Sequence, residues 1–144
     1  MYTGLLHLHN LLRWVILILL LISMVQAFQK SEGLKKTSLF LLISAHITLL
    51  IGLYQWAVGG LGWALFEANG GAVMKDSTMR FWAVEHPISM IAGIVCITIA
   101  RGKAKKSNFK AASILYVVAL LLILAAVPWP FREVGRAWFP GMTN

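Results

Sequence analysis

Four long apolar stretches alternate with short polar connectors along this chain. They run over Gly4–Phe28, Thr37–Val58, Met79–Ala100 and Ala111–Val127, each close to the ~20 residues a helix needs to cross ~30 Å of hydrocarbon. Lipid admits only helices and closed barrels, because every backbone polar group must find its partner inside the protein, and no alternating barrel pattern is present. The expectation is an all-α fold: a polytopic membrane four-helix bundle forming a single transmembrane domain over residues 1–144. Its helices are expected at about 4–28, 37–58, 79–100 and 111–127. The linker 59–78 is rich in glycine and carries Trp63 and Phe66; it is read as dipping along the membrane surface, with a short helix at Trp63–Ala68. Pro128 and Pro130 stop the fourth helix, since proline cannot propagate it. The first stretch has neither a basic segment before it nor a clear small-x-small cleavage site after it, so it is expected to stay as a helix.

Composition agrees with this pattern. The chain is 59% hydrophobic and 12% charged, with a mean hydropathy of +0.77, whereas soluble domains carry about a quarter charged residues. The formal net charge is +8. Eight of the positive charges fall in two connectors: Lys30, Lys35 and Lys36 in one, and Arg101, Lys103, Lys105, Lys106 and Lys110 in the other. An excess of Lys and Arg marks cytoplasmic loops. Both termini and the 59–78 linker are then expected on the outer, periplasmic side of a bacterial cytoplasmic (inner) membrane that the chain crosses several times. The basic excess is accounted for without a nucleic-acid face. One cysteine, Cys96, excludes an internal disulfide and a Cys-rich metal cluster, and in its apolar run it is read as an inert buried thiol. Only Glu32, Glu67, Asp76, Glu85 and Glu133 are acidic, so a hydrolytic carboxylate pair has no candidates. No nucleophile triad or phosphate loop is visible.

Trp14, Trp56, Trp63, Trp82, Trp129 and Trp138 all fall in the outer half of this arrangement, together with His7, His9 and His86. At about 1.5 Å of rise per residue, His9 lies about 7–8 Å below the outer surface and His86 about 9 Å, whereas His46 is about 15 Å down. His9 and His86 therefore face each other at one level of the bundle. Two histidines at one depth on two membrane helices form the arrangement that grips a haem iron from both sides, since imidazole suits iron and axial ligands set its potential. Arg13, one turn below His9, and Arg136 in the tail are candidates to meet haem propionates. The plainer readings stand beside these. Arg13 can pair with Glu85, each offsetting the other's burial cost, or snorkel to the interface. His46 is either an interhelical hydrogen-bonding residue or part of a metal or quinone site without haem. Met90, one turn from His86, is ordinary filler unless it ligates. Pro87 either bends a helix or begins one. His7 points away from His9 and is read as interfacial.

The segments "LHLHNLLRW", "HITLLIGLYQW", "RFWAVEHPISMIAGIVCITIARGKAKK" and "VPWPFREVGRAW" give the chain, over nearly its whole length and in order, a resemblance to small bacterial membrane proteins called cytochrome B, or cytochrome b-like. The resemblance implies four membrane helices and a b-type haem. It points to His9, Arg13 and Trp14 in the first motif, Glu85 and His86 in the third, and Arg136 in the last. The function so implied is haem-mediated electron transfer between membrane quinol and an outer-side carrier, in a lipid-embedded protein acting as a homo-oligomer or as a subunit of a larger complex. The competing reading is a cofactor-free accessory or assembly subunit with a buried Arg13–Glu85–histidine network. The sequence leaves open whether the protein is an enzyme.

Overall fold

Each apolar stretch folds as a helix whose ends lie where the chain supplies a stop or a cap. The computed structural model describes residues 1–142. Helix α1 spans Tyr2–Phe28 and α2 Leu34–Val58. A short α3 follows at Trp63–Asn69, then a 3-10 turn at Gly70–Met74. The third candidate span is compound: α4 at Ser77–Arg80 runs through a π-helical turn at Phe81–Glu85 into α5 at His86–Lys105. Helix α6 spans Phe109–Ala126. Asp76 caps α4 by accepting from the Met79 amide at 2.8 Å, and Asn108 caps α6 by accepting from the Ala111 amide at 3.2 Å, each satisfying an orphan N–H of a first turn. Among the described residues, four helices are long and apolar enough to cross a membrane. Helices α2, α5 and α6 run several residues past their apolar windows into the lysine-bearing connectors, because long basic side chains can lie along a helix and still reach water.

The four spans pack in the order α1, α2, α5, α6 around the bundle, with α6 closing back on α1. The buried face of each helix is rich in small residues. Gly93, Ala100 and Ala104 of α5 meet Ala112, Ala119 and Ala126 of α6, the spacing that lets backbones approach without hydrophobic drive from water. A Cβ on Gly93 would lie 3.0 Å from Ile123 Cγ1, so glycine lets α5 and α6 approach here without displacing the Ile123 side chain. Larger side chains fill the middle, with Leu20, Leu41, Ile97 and Tyr116 fully buried. The outward faces stay apolar, Ile18, Leu50, Ile88 and Leu121 being more than half exposed, as lipid contact requires.

One end of the bundle is basic. There Lys35 pairs with Glu32 at 2.8 Å and holds its carboxyl below the usual carboxylate range. Arg101 ties α5 to α2 by donating to the Lys35 carbonyl and to Ser38 Oγ at 2.6 and 3.0 Å. The opposite end gathers the tryptophans and the tail. Trp14 stacks on Trp138 and Phe139 at centroid distances of 6.0 and 5.6 Å, and Trp129 packs edge-on against Trp14 at 6.2 Å. After α6 the tail turns back over the bundle. Arg132 donates to the Ala125 and Val127 carbonyls, satisfying acceptors that the helix end would leave orphaned.

Candidate functional site

Small residues and a proline open a space between the helices at the tryptophan end. The cavity holds about 390 Å³, within the 300–1,000 Å³ or so of small-molecule sites. Its walls are Asn10, Arg13 and Ile16 of α1, Thr48 and Gly52 of α2, and Met90 and Ile94 of α5. Ile123 and Val127 close the α6 side and Arg136, Ala137 and Phe139 come from the tail. His9 and His86 both line it, their ring centroids 6.4 Å apart. The histidines expected at one depth thus meet across one cavity.

His86 is oriented by its neighbours. Its Nδ1 shares a hydrogen bond of 2.7 Å with the Ala126 carbonyl; a carbonyl can only accept, so Nδ1 carries the proton and Nε2 keeps its lone pair. Ser89, one turn on, donates to the Leu122 carbonyl at 3.0 Å, so α5 is fastened to α6 on both sides of this turn. Phe81 and Trp82 flank the imidazole at 5.8 Å each. The π turn that carries them precedes Pro87. Proline has no N–H, so the carbonyl four residues earlier, Ala83, loses its usual α-helical donor; Trp56 Nε1 of α2 supplies one at 2.9 Å. Pro87 therefore lies in the first turn of α5, while the chain continues through it as one compound helix.

His9 is placed by space. A Cβ on Gly52 would lie 3.2 Å from His9 Cε1, so glycine at this point of α2 makes room for the ring. The Thr48 carbonyl faces His9 without closing a bond to its buried Nδ1.

The two sequence-predicted arginines also reach the cavity, in different roles. Arg13 lies with its guanidinium over the Trp14 and Trp129 rings, at 5.1 and 5.8 Å, and donates to the carbonyls of Ala137 and Trp138 at 3.1 and 2.8 Å. Arg136 packs over Trp82 at 4.9 Å. Among the described residues no Asp or Glu lines the cavity. It is an apolar space bounded by two guanidiniums and the imidazoles.

Two expectations are corrected. The Arg13–Glu85 pair does not form: Glu85 is exposed and accepts from Arg80 Nε at 2.6 Å, because the π turn carries it to the outside of the compound helix while His86 faces in. His46 stays out of the site. It is exposed on α2, with Nδ1 bonded to its own helix at the Leu42 carbonyl at 2.9 Å; ten residues from Trp56, it lies on another face and another level. His7 is exposed at the cavity rim and Met90 lines the wall. Sequence reasoning missed Gly52, the Ala126 carbonyl and the contact of the tail with α1. Only Gly52 left a trace, as a lone glycine in the apolar run "HITLLIGLYQW".

No family model matches the chain, and neither a curated protein nor a solved structure matches it. Among the described residues no group of three or more His, Cys, Asp or Glu side chains is placed to cage a metal ion, which leaves bare-ion sites without a candidate. A haem brings its own equatorial nitrogens and asks the protein for one or two axial ligands. His9 and His86, their ring centroids 6.4 Å apart across the cavity, are the residues that would hold it. His86 in addition has its second nitrogen hydrogen-bonded, as ligating histidines do. The donor set and the acid-free walls fit the group.

Proposed function

We propose that the protein is a membrane b-type cytochrome-like electron carrier, with haem b held between His9 and His86. The observation that carries this reading is the histidine pair itself: two imidazoles from different helices, 6.4 Å apart, lining one largely apolar cavity. When bound, the haem supplies reversible one-electron transfer. The chain's own residues then have assigned tasks. His86 presents Nε2 because Ala126 holds its other nitrogen. His9 approaches from α1 through the gap at Gly52. Arg13 and Arg136 line the cavity and would offer positive charge to the acidic edge of the ligand, Arg13 by giving up its tail carbonyls for the acid. Apolar residues of α5 and α6 exclude water and so weight every electrostatic contact more heavily.

In this reading the lysine end faces the cytoplasm and the cavity lies in the outer half of the inner membrane, where electrons pass between quinol and an outer-side carrier. The test is titration of hemin into the purified protein in detergent. The expected result is saturation at one hemin per chain with the spectrum of a six-coordinate low-spin haem. His9→Ala and His86→Ala should each convert it to a five-coordinate spectrum or abolish it. A spectrum indifferent to both substitutions contradicts the reading.

A second reading has a specific observation in its favour. Arg13, Asn10 and Trp14 are engaged with the tail, as expected of a cofactor-free accessory subunit stabilised by an internal polar network. That network would join α1 to the tail, without Glu85. The same titration separates the two, since a network of this kind binds no hemin.

A further inference from the structure

The tail from Arg136 to Met142 lies outside any helix yet forms one wall of the cavity. It is held there at two adjacent backbone carbonyls. Asn10 Nδ2 donates to Ala137 at 3.3 Å and Arg13 to Ala137 and Trp138. Trp14 Nε1 donates to Trp138 at 2.6 Å. Residues 10, 13 and 14 are neighbours on one face of α1 by the i, i+3, i+4 rule, so one helical turn supplies the whole grip. Phe139 adds a stack on Trp14 at 5.6 Å.

The partner of Arg13 in this grip is chemically unusual. A guanidinium has a planar fork matched to carboxylate or phosphate, and it is bonded most strongly by an ionised acceptor. Here it meets neutral carbonyls, its Nε is buried without a partner, and among the described residues no Asp or Glu lines the cavity beside it. The charge is met by the tail carbonyls and by the faces of Trp14 and Trp129, and by no carboxylate among the described residues. An acidic group entering the cavity would offer Arg13 the better acceptor.

From this we infer that residues 137–142 form a strap that occupies Arg13 in place of an acid, so that a carboxylate-bearing ligand of the cavity and the strap compete for the same guanidinium. Filling the cavity releases the strap; emptying it lets the two carbonyls return. The ligand class rests on the haem-binding reading above, whereas the latch rests on the hydrogen bonds alone.

The strap is followed by a nitroxide on Pro140→Cys in a Cys96→Ser background, a position with no side-chain hydrogen bond of its own. Arg13→Gln should produce a several-fold rise in the mobile component of the spectrum without ligand, and Trp14→Phe, which keeps the ring and removes one donor, a smaller rise. Hemin should mobilise the label in the protein with Arg13 intact, and hemin dimethyl ester, which has no free acid, should leave it immobile. An unchanged spectrum in both latch variants overturns the strap. Equal mobilisation by the acid and its ester overturns the competition while leaving haem binding intact. A Soret band that does not shift on adding protein counts against the haem reading, and the latch variants still decide the strap.

Discussion

At the level of single residues, His9 and His86 are held by different means, and substitutions around them should differ in kind. His86 is oriented by a hydrogen bond from α5 to α6, whereas His9 depends on the absence of a side chain at Gly52. Gly52→Leu should push the His9 ring aside and lower haem content per chain several-fold with the helices intact by circular dichroism. Gly52→Ala, whose Cβ demands a few tenths of an ångström, should retain haem with a shifted midpoint potential. Arg13 and Glu85 give a second prediction. They share no contact, so a double-mutant cycle between Arg13→Ala and Glu85→Gln should show coupling within about 0.5 kcal/mol of zero. The exposed Arg80–Glu85 pair should show roughly 0.2–1 kcal/mol. Equilibrium unfolding in mixed micelles reads both, and strong Arg13–Glu85 coupling would restore the network expected from sequence.

Among the elements, the compound helix from Ser77 to Lys105 and its contact with α6 set the site. Gly93 and Ile123 touch closely enough that Gly93→Val should overpack the α5–α6 interface, costing about 1–3 kcal/mol and displacing the Ala126 carbonyl from His86. Unfolding midpoint and haem content should fall together. The four helices long and apolar enough to cross a membrane were legible in the sequence because their outward faces are apolar as well as their buried ones, so hydropathy alone marks them. The closeness of His9 and His86 was legible because counting residues from the helix ends fixes depth well enough even across the five-residue π turn before His86. The fate of Glu85 was not, because it turns on a π turn, and a single extra residue per turn rotates a side chain to the other side of a helix without altering composition. The tail's return to α1 was equally hidden: it is made by the carbonyls of Ala137 and Trp138, and backbone acceptors are the same at every residue. His46 misled because a histidine in an apolar run reads as a suspect, and its bond to Leu42 within its own helix leaves no mark in the sequence.

For the whole molecule, the two ends are chemically opposed: the connector lysines, Arg101 and the Glu32–Lys35 pair at one, the tryptophan cluster, the three arginine–aromatic contacts made by Arg13 and Arg136, and the strap at the other. The proposed placement of the lysine end in the cytoplasm predicts that alkaline phosphatase fused after the tail is active and that green fluorescent protein fused there is dark, with the reverse for fusions in the connector 101–110. The site's function is then a property of the tryptophan end alone. The central claim is that this end holds a haem between two histidines, and the reduced-minus-oxidised spectrum of gently extracted protein, with a pyridine haemochrome assay for stoichiometry, tests it most directly. The account predicts a sharp α-band and about one haem per chain. A flat spectrum from cells supplied with haem precursor would contradict it.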